Sequence, residues 1–246
     1  MELSSIDQAV LILAAFLTSC MSAILGMGGG ISLLAVMMQY LPQTLLIPSH
    51  GIVQLCSNGF RTALNAKHVV GRIFIPLLIG GIVGAFSAYH LVLKIPDSLF
   101  KILLPILILF FTWKPKNKNP INFPAKFYVL GFFSNLMSVV FGATGPLIAP
   151  FFLRENLNRF QIIATKAAIQ AFGHLTKVII YFLVGVSLGP YLPLIAMMIV
   201  AVFLGTFVGT KILHKVPEKV FLVLFKWMIT LLCLRILFLQ VWAYFN

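Results

Sequence analysis

His50, Gln54, Asn58 and Arg61 are spaced four, four and three residues apart, and Lys166, Gln170, His174 and Lys177 repeat that spacing 116 residues later. On a helix these intervals place all four side chains of a set on one face. Each set mixes amide or imidazole groups with a cation, and neither contains a carboxylate. An amide donates to oxyanion oxygens without the desolvation cost of a full charge. Gln54 and Gln170, each in mid-segment, are therefore the strongest candidate ligands for an anion, with Asn58 and His174 a turn further along. An interhelical hydrogen bond is the competing explanation for these groups. Arg61 and Lys177 are candidates for attracting the anion or gating its path, and snorkelling to the headgroups explains them equally well. His50 and Lys166 lie nearer the segment ends and fit snorkelling better. His174 has one further option, because an imidazole with an ordinary pKa of about 6.5 can carry a coupling proton. A lone buried histidine is more often a structural donor.

Two glycine-rich breaks obey the same offset. Gly26-Met27-Gly28-Gly29-Gly30 precedes the first stripe and Gly142-Ala143-Thr144-Gly145-Pro146 the second, with Gly26 matching Gly142, Gly29 matching Gly145, and Met21-Ser22 matching Met137-Ser138. Consecutive glycines propagate a helix poorly. In hydrocarbon, irregular backbone survives only where protein or a water-filled cavity satisfies it. Residues 8–41 thus predict a discontinuous or re-entrant helix pair tipped by glycine. Backbone N–H groups at such a tip, followed by a helix N-terminus, form a cradle for an anion, and Pro146 suits a first helical position. Gly28, Gly29, Gly30, Thr144 and Gly145 join the candidate substrate-binding set on that basis, with close helix packing as the alternative.

The elements that must position these groups repeat as well. Apolar segments cover 47–66, 73–93 and 98–113 in the first half, and 127–153, 160–184, 191–213 and 219–240 in the second. Gly80, Gly81 and Gly84 in the second of these segments favour close packing of helices. Lys94-Ile95-Pro96-Asp97 and Lys215-Val216-Pro217-Glu218 match at an offset of 121, as do Gly84 with Gly205 and Phe100 with Phe221. The predicted organisation is a first transmembrane repeat at 1–113, a basic linker at 114–126 holding four lysines, and a second repeat at 127–246. The loops 67–72, 114–126, 154–159 and 211–219 hold most of the loop Lys and Arg. Placing them on one side requires an odd number of crossings per repeat, hence inverted topology with the linker cytoplasmic. The expected fold is an all-α polytopic membrane protein of two inverted repeats, each a glycine-broken or re-entrant helix pair plus three transmembrane helices.

Composition agrees with a bilayer and narrows the cargo. Of 246 residues 61% are hydrophobic and 9% charged, against about a quarter charged in soluble domains, and the mean hydropathy is +1.05. No alternation of the kind a β-barrel needs is visible. The net charge of +13 sits mostly in short loops, so a nucleic-acid partner, which requires a soluble basic face, is not expected. The five acids, Glu2, Asp7, Asp97, Glu155 and Glu218, all lie outside the apolar segments. A cation pathway normally shows intramembrane carboxylates, so the cargo should be an anion. Cys20, Cys56 and Cys233 suit neither disulfides nor zinc, and no cofactor or metal is expected. The absence of a basic n-region, with Glu2 and Asp7 near the start, argues against a cleaved signal. The histidines are scattered and no nucleophile–base set is present, which disfavours an enzyme. A homo-oligomer is left open.

Taken together, the two glycine breaks, the Gln-bearing segments that follow them and the Pro-Asp and Pro-Glu turns resemble the sulfite exporter TauE/SafE family of duplicated permeases across essentially the whole chain. The second break departs from the pattern at Ala143 and Thr144, where a richer glycine run is expected. The resemblance implies a secondary transporter of the cell inner membrane that carries small sulfur-containing anions, such as sulfite or organosulfonates. It further implies outward transport coupled to an ion gradient. Alternating access around the duplicated polar groups is the expected mechanism. An anion channel is the closer alternative and an integral membrane enzyme the more distant one.

Overall fold

The structure, a computed structural model, describes residues 3–25, 28–92, 94–113, 123–142, 148, 151, 155–212 and 218–245. Among the described residues the chain is helical throughout, without strands. The helices are α1 (Ser5–Leu25), α2 (Gly29–Met37), α3 (Gln43–Leu64), α4 (Gly71–Tyr89), α5 (Asp97–Trp113), α6 (Lys126–Phe141), α7 (Arg159–Leu183), α8 (Leu192–Ile212) and α9 (Glu218–Phe245). By length and composition α1, α4 and the stretch Gly189–Gly209 can each cross a bilayer, and α6 and Ile229–Trp242 are shorter apolar helices. The chain is a multi-pass membrane protein.

The first glycine break separates unequal partners. The 21 residues of α1 extend about 31 Å, whereas the 9 residues of α2 reach about 13 Å at 1.5 Å per residue. A full-length helix is thus followed by a half-length one, rather than by two similar arms. The helices stop at the breaks because the backbone turns left-handed there, at Gly28 before α2 (φ 94°) and at Gly142 after α6 (φ 79°). Only glycine adopts that conformation without steric cost. The stripe helix α3 begins at Gln43, four residues ahead of the predicted start, and carries Pro48 inside it. Residues 143–147, most of the linker (114–122) and Lys215 to Pro217 lie outside the described residues.

Two compact units are present, and neither coincides with a sequence half. The first comprises Met1–Leu46, Ile95–Pro115 and Ala196–Asn246, and the second Ile47–Lys94 and Lys116–Ile195. In the first unit α1 crosses α8. A Cβ on Gly205 would lie 2.3 Å from the Phe16 carbonyl oxygen. Ser19 Oγ donates to the Val202 carbonyl at 2.8 Å and lies 2.8 Å from Thr206 Oγ1. In the second unit α6 crosses α4. A Cβ on Gly84 would lie 2.2 Å from the Phe132 carbonyl oxygen, and Asn135 Nδ2 donates to the Gly81 carbonyl at 2.7 Å.

These crossings correspond residue by residue. Phe132 follows Phe16, and Asn135 follows Ser19, by 116 positions; Gly205 follows Gly84, and Val202 follows Gly81, by 121. One crossing is built twice, each time from a helix of one half and a helix of the other. The packing role expected of Gly80 and Gly84 holds, since a side chain at either would enter the backbone of α6.

The second unit also shows where the chain returns. Lys126 Nζ, at the start of α6, pairs with Glu155 Oε1 at 2.6 Å, and Arg72 at the start of α4 pairs with Glu155 Oε2 at 3.5 Å. The chain therefore leaves at Lys126 and is back at the same end of α6 by Glu155. Nearby, His68 stacks on Phe160 with ring centroids 5.3 Å apart. The apolar core beneath gathers Ile73, Leu77, Leu130, Ile148 and Ile169.

Candidate functional site

The two polar stripes face each other inside the second unit. α7 is launched by a capping box in which Asn158 Oδ1 accepts from the Gln161 N–H at 2.9 Å and Gln161 Oε1 accepts from the Asn158 N–H at 3.1 Å. Reciprocal bonds of this kind satisfy otherwise orphaned donors of the first turn. From there α7 runs antiparallel to α3. At one end His50 Nδ1 lies 3.4 Å from Lys177 Nζ, and the His50 and His174 rings meet edge to face with centroids 5.7 Å apart. The antiparallel register places Arg61 of α3 and Lys166 of α7 towards the other end. The two pairs occupy equivalent positions, because a shift of 116 converts His50 into Lys166 and Arg61 into Lys177.

Burial separates these groups from ordinary membrane-surface cations. His50, Gln54, Asn58, Lys166, His174 and Lys177 are all buried, with Lys177 fully so. Arg61 and Gln170 are half-buried. The expectation that His50 and Lys166 snorkel to the headgroups therefore fails. Both are buried, and His50 meets Lys177 and His174 of the partner helix.

The hydrogen bonds of the cluster run partly to backbone carbonyls and partly between stripe neighbours. Lys177 Nζ donates to the Gly142 carbonyl at 3.3 Å, at the left-handed end of α6. Asn58 Nδ2 donates to the Gln54 carbonyl at 2.9 Å, and Arg61 donates to Ser57 Oγ at 3.0 Å. Among the described residues, Asn58 Oδ1 and His174 Nδ1 are buried without a partner. The ion pairs among the described residues are Arg72–Glu155, Lys101–Asp97 and Lys126–Glu155, so neither Lys166 nor Lys177 has a carboxylate. Burying an ammonium without a counter-charge is costly. The arrangement gathers buried hydrogen-bond donors and positive charge on facing helices. Among the described residues no His, Cys, Asp and Glu group could hold a metal ion.

The remaining candidates fall elsewhere. Gly28, Gly29 and Gly30 belong to the first unit, where a Cβ on Gly29 would lie 2.3 Å from the Thr18 carbonyl oxygen and 2.6 Å from Ser22 Cβ. That glycine is held tightly against α1. Thr144 and Gly145 lie outside the described residues.

One polar set was not singled out by the stripe spacing. Thr18, Ser19 and Ser22 on α1 and Ser134, Asn135 and Ser138 on α6 are all buried, and the sets are 116 residues apart. Thr176 Oγ1 of α7 donates to Asn135 Oδ1 at 2.9 Å, and Ser138 Oγ lies 3.4 Å from the Gly173 carbonyl. Asn135 thereby ties α6 to both α4 and α7. The signal was present in the matching hydroxyl and amide positions ahead of each glycine break, of which only Met21-Ser22 and Met137-Ser138 stand out by eye.

The family model described as Sulfite exporter TauE/SafE matches residues 11–236 of the 246. No curated protein and no solved structure gives a significant match.

Proposed function

Because the chain belongs to the sulfite exporter TauE/SafE family, a family of membrane transporters, we propose that its substrate is a small oxyanion held between the stripes of α3 and α7. The observation that carries this reading is the pair of buried lysines, Lys166 and Lys177, without carboxylate partners among the described residues. An anion supplies the missing counter-charge. Gln54 and Gln170 offer amide donors, His174 Nδ1 and Asn58 flank them, and Arg61 draws the anion in from its end of the cluster. The substrate class is small sulfur-containing anions such as sulfite or organosulfonates, moved outward by alternating access and coupled to an ion gradient. The glycine tips at Gly28 to Gly30 and at Thr144 and Gly145 remain candidate backbone donors, each considered in its own part of the chain.

The reading includes two inverted repeats in a cell inner membrane, with the linker 114–126 cytoplasmic. The meeting of Arg72, Lys126 and Glu155 supports a common side for three of the basic loops, as the positive-inside rule asks. Replacing Gln54 and Gln170 together by leucine should abolish anion flux in liposomes while leaving the protein folded. Flux unchanged from the parent protein would reject the site.

A further inference from the structure

We infer that Gly51 is a positioning residue for anion binding: the space left by its missing side chain is the slot in which the stem of Lys177 lies. Gly51 thereby fixes where the buried ammonium meets the anion. This rests on the anion site proposed above and adds a determinant of its affinity. A Cβ on Gly51 would lie 3.0 Å from Lys177 Cε and 3.3 Å from Lys177 Cγ, so the stem runs along the bare backbone of α3. At the end of that stem Nζ lies 3.4 Å from His50 Nδ1 and donates to the Gly142 carbonyl at 3.3 Å. Lys177 is fully buried.

Neither of the usual reasons for a glycine applies at this position. Among the described residues positive φ is found at Gly28, Gly142 and Gly185 and not at Gly51, so no left-handed turn calls for it. Nor does Gly51 admit a neighbouring backbone. A Cβ on Gly80, Gly84 or Gly131 would strike a carbonyl of the crossing helix, whereas one on Gly51 would meet the side chains of Lys177 and Val178. Glycine inside a helix is destabilising relative to alanine, and what the bare position provides in return is the slot. The equivalent position on α7, 116 residues later, holds Ala167, and the equivalent of Lys177 is Arg61. Arg61 is only half-buried, so the two ends of the cluster hold their cations to different depths. A lysine stem is flexible and its ordering is costly. A slot that fits the stem limits that freedom before the anion arrives, and a preorganised donor binds more tightly. An alanine methyl at position 51 would push the stem away by roughly half an ångström to reach ordinary van der Waals distance. Both contacts of Nζ are already long for hydrogen bonds, so that displacement takes the ammonium out of its corner.

The test is calorimetric titration of the purified full chain with sulfate, thiosulfate and sulfoacetate, alongside a thermal melt of each variant without anion. Gly51→Ala should weaken binding about tenfold, the loss of roughly one hydrogen bond to a charged group, while melting as the parent protein does. If its melt falls, Gly51→Ala/Val178→Ala removes the second contact of the new methyl, and the weaker binding should persist with the melt restored. Gly59→Ala, on the same helix with open space around it, should bind as the parent does. Lys177→Met keeps a stem and removes the charge. It should weaken binding, and adding Gly51→Ala to it should cost nothing further. Unchanged affinity in Gly51→Ala overturns the inference and leaves the anion site standing. Equal weakening by Gly51→Ala with and without Lys177→Met marks a purely structural role and overturns it too, as does failure of both Gly51 variants to fold. If Lys177→Met binds none of the anions, the contrast between Gly51→Ala and Gly59→Ala decides alone. Failure of the parent protein to bind any of the three anions defeats the site itself, and parent-like affinity in Lys177→Met removes Lys177 from it and the inference with it.

Discussion

The two units share a frame and differ in what they hang on it. Each has one glycine-mediated crossing, α1 with α8 or α6 with α4, and each has one couple of equivalent helices, α5 with α9 in the first unit and α3 with α7 in the second. The α5–α9 couple buries apolar side chains such as Phe100, Leu104, Ile229 and Ile236 and carries aromatics on its surface. Trp113 Nε1 donates to Thr230 Oγ1 at 2.8 Å, Trp227 packs edge to face on Trp113 at 5.4 Å, and Lys226 sits 5.2 Å over the Trp113 ring. Trp227, Leu231, Leu234 and Phe238 are exposed. The α3–α7 couple does the reverse and turns its polar groups inward. The frame is repeated, while the buried cations of the stripes are concentrated in one couple. Aromatic and basic residues at helix ends suit a membrane interface, whereas buried cations facing one another suit a ligand.

This comparison can be broken at several points. The largest effect is expected at the crossings. Gly84→Leu and Gly205→Leu each drive a side chain into a backbone carbonyl, and each should lower stability by about 3 kcal/mol or more, read as loss of folded protein in a thermal melt. A large effect at only one of them would show that the crossings are not equivalent. A medium effect sharpens the contrast between units. Asn135→Ala removes bonds to both α4 and α7 and should cost about 1–3 kcal/mol, whereas Ser19→Ala should cost about 1 kcal/mol because its bonds reach α8 alone. Equal shifts in melting temperature would undo that distinction. The smallest effect is expected at the surface couple, where Lys226→Ala should change stability by less than about 1 kcal/mol and leave anion flux in liposomes as it was. A strong loss of flux would move function into the first unit.

Much of this was legible in the sequence, for identifiable reasons. The stripes were readable because a polar side chain every third or fourth position in an apolar segment leaves a periodic trace. The duplication was readable because Gly84 and Gly205, or Gln54 and Gln170, keep a fixed offset. Burial of His50 and Lys166 was not, because position along a segment does not reveal that an antiparallel partner covers its end. The start of α3 at Gln43 was missed because Pro42 and Pro48 together read as a break, although the helix runs through the second of them. The mixing of helices between halves was likewise hidden. Periodicity tells which face is buried and is silent about which helix buries it. The small polar residues of α1 and α6 went unremarked because serine and threonine in a helix bond readily to their own backbone. Their long-range role emerges only when a neighbour such as Gly81 or Val202 is in place.

The discontinuous make-up of the first unit sets a timetable for biosynthesis. Ser19 and its acceptor Val202 are 183 residues apart, so α1 emerges long before the surface it packs against has been translated. At roughly 5–20 residues per second, that wait is about 10 to 40 s. The second unit, complete at Ile195, can close during that interval, and α1 must be sheltered in the bilayer or the insertion machinery until α8 arrives.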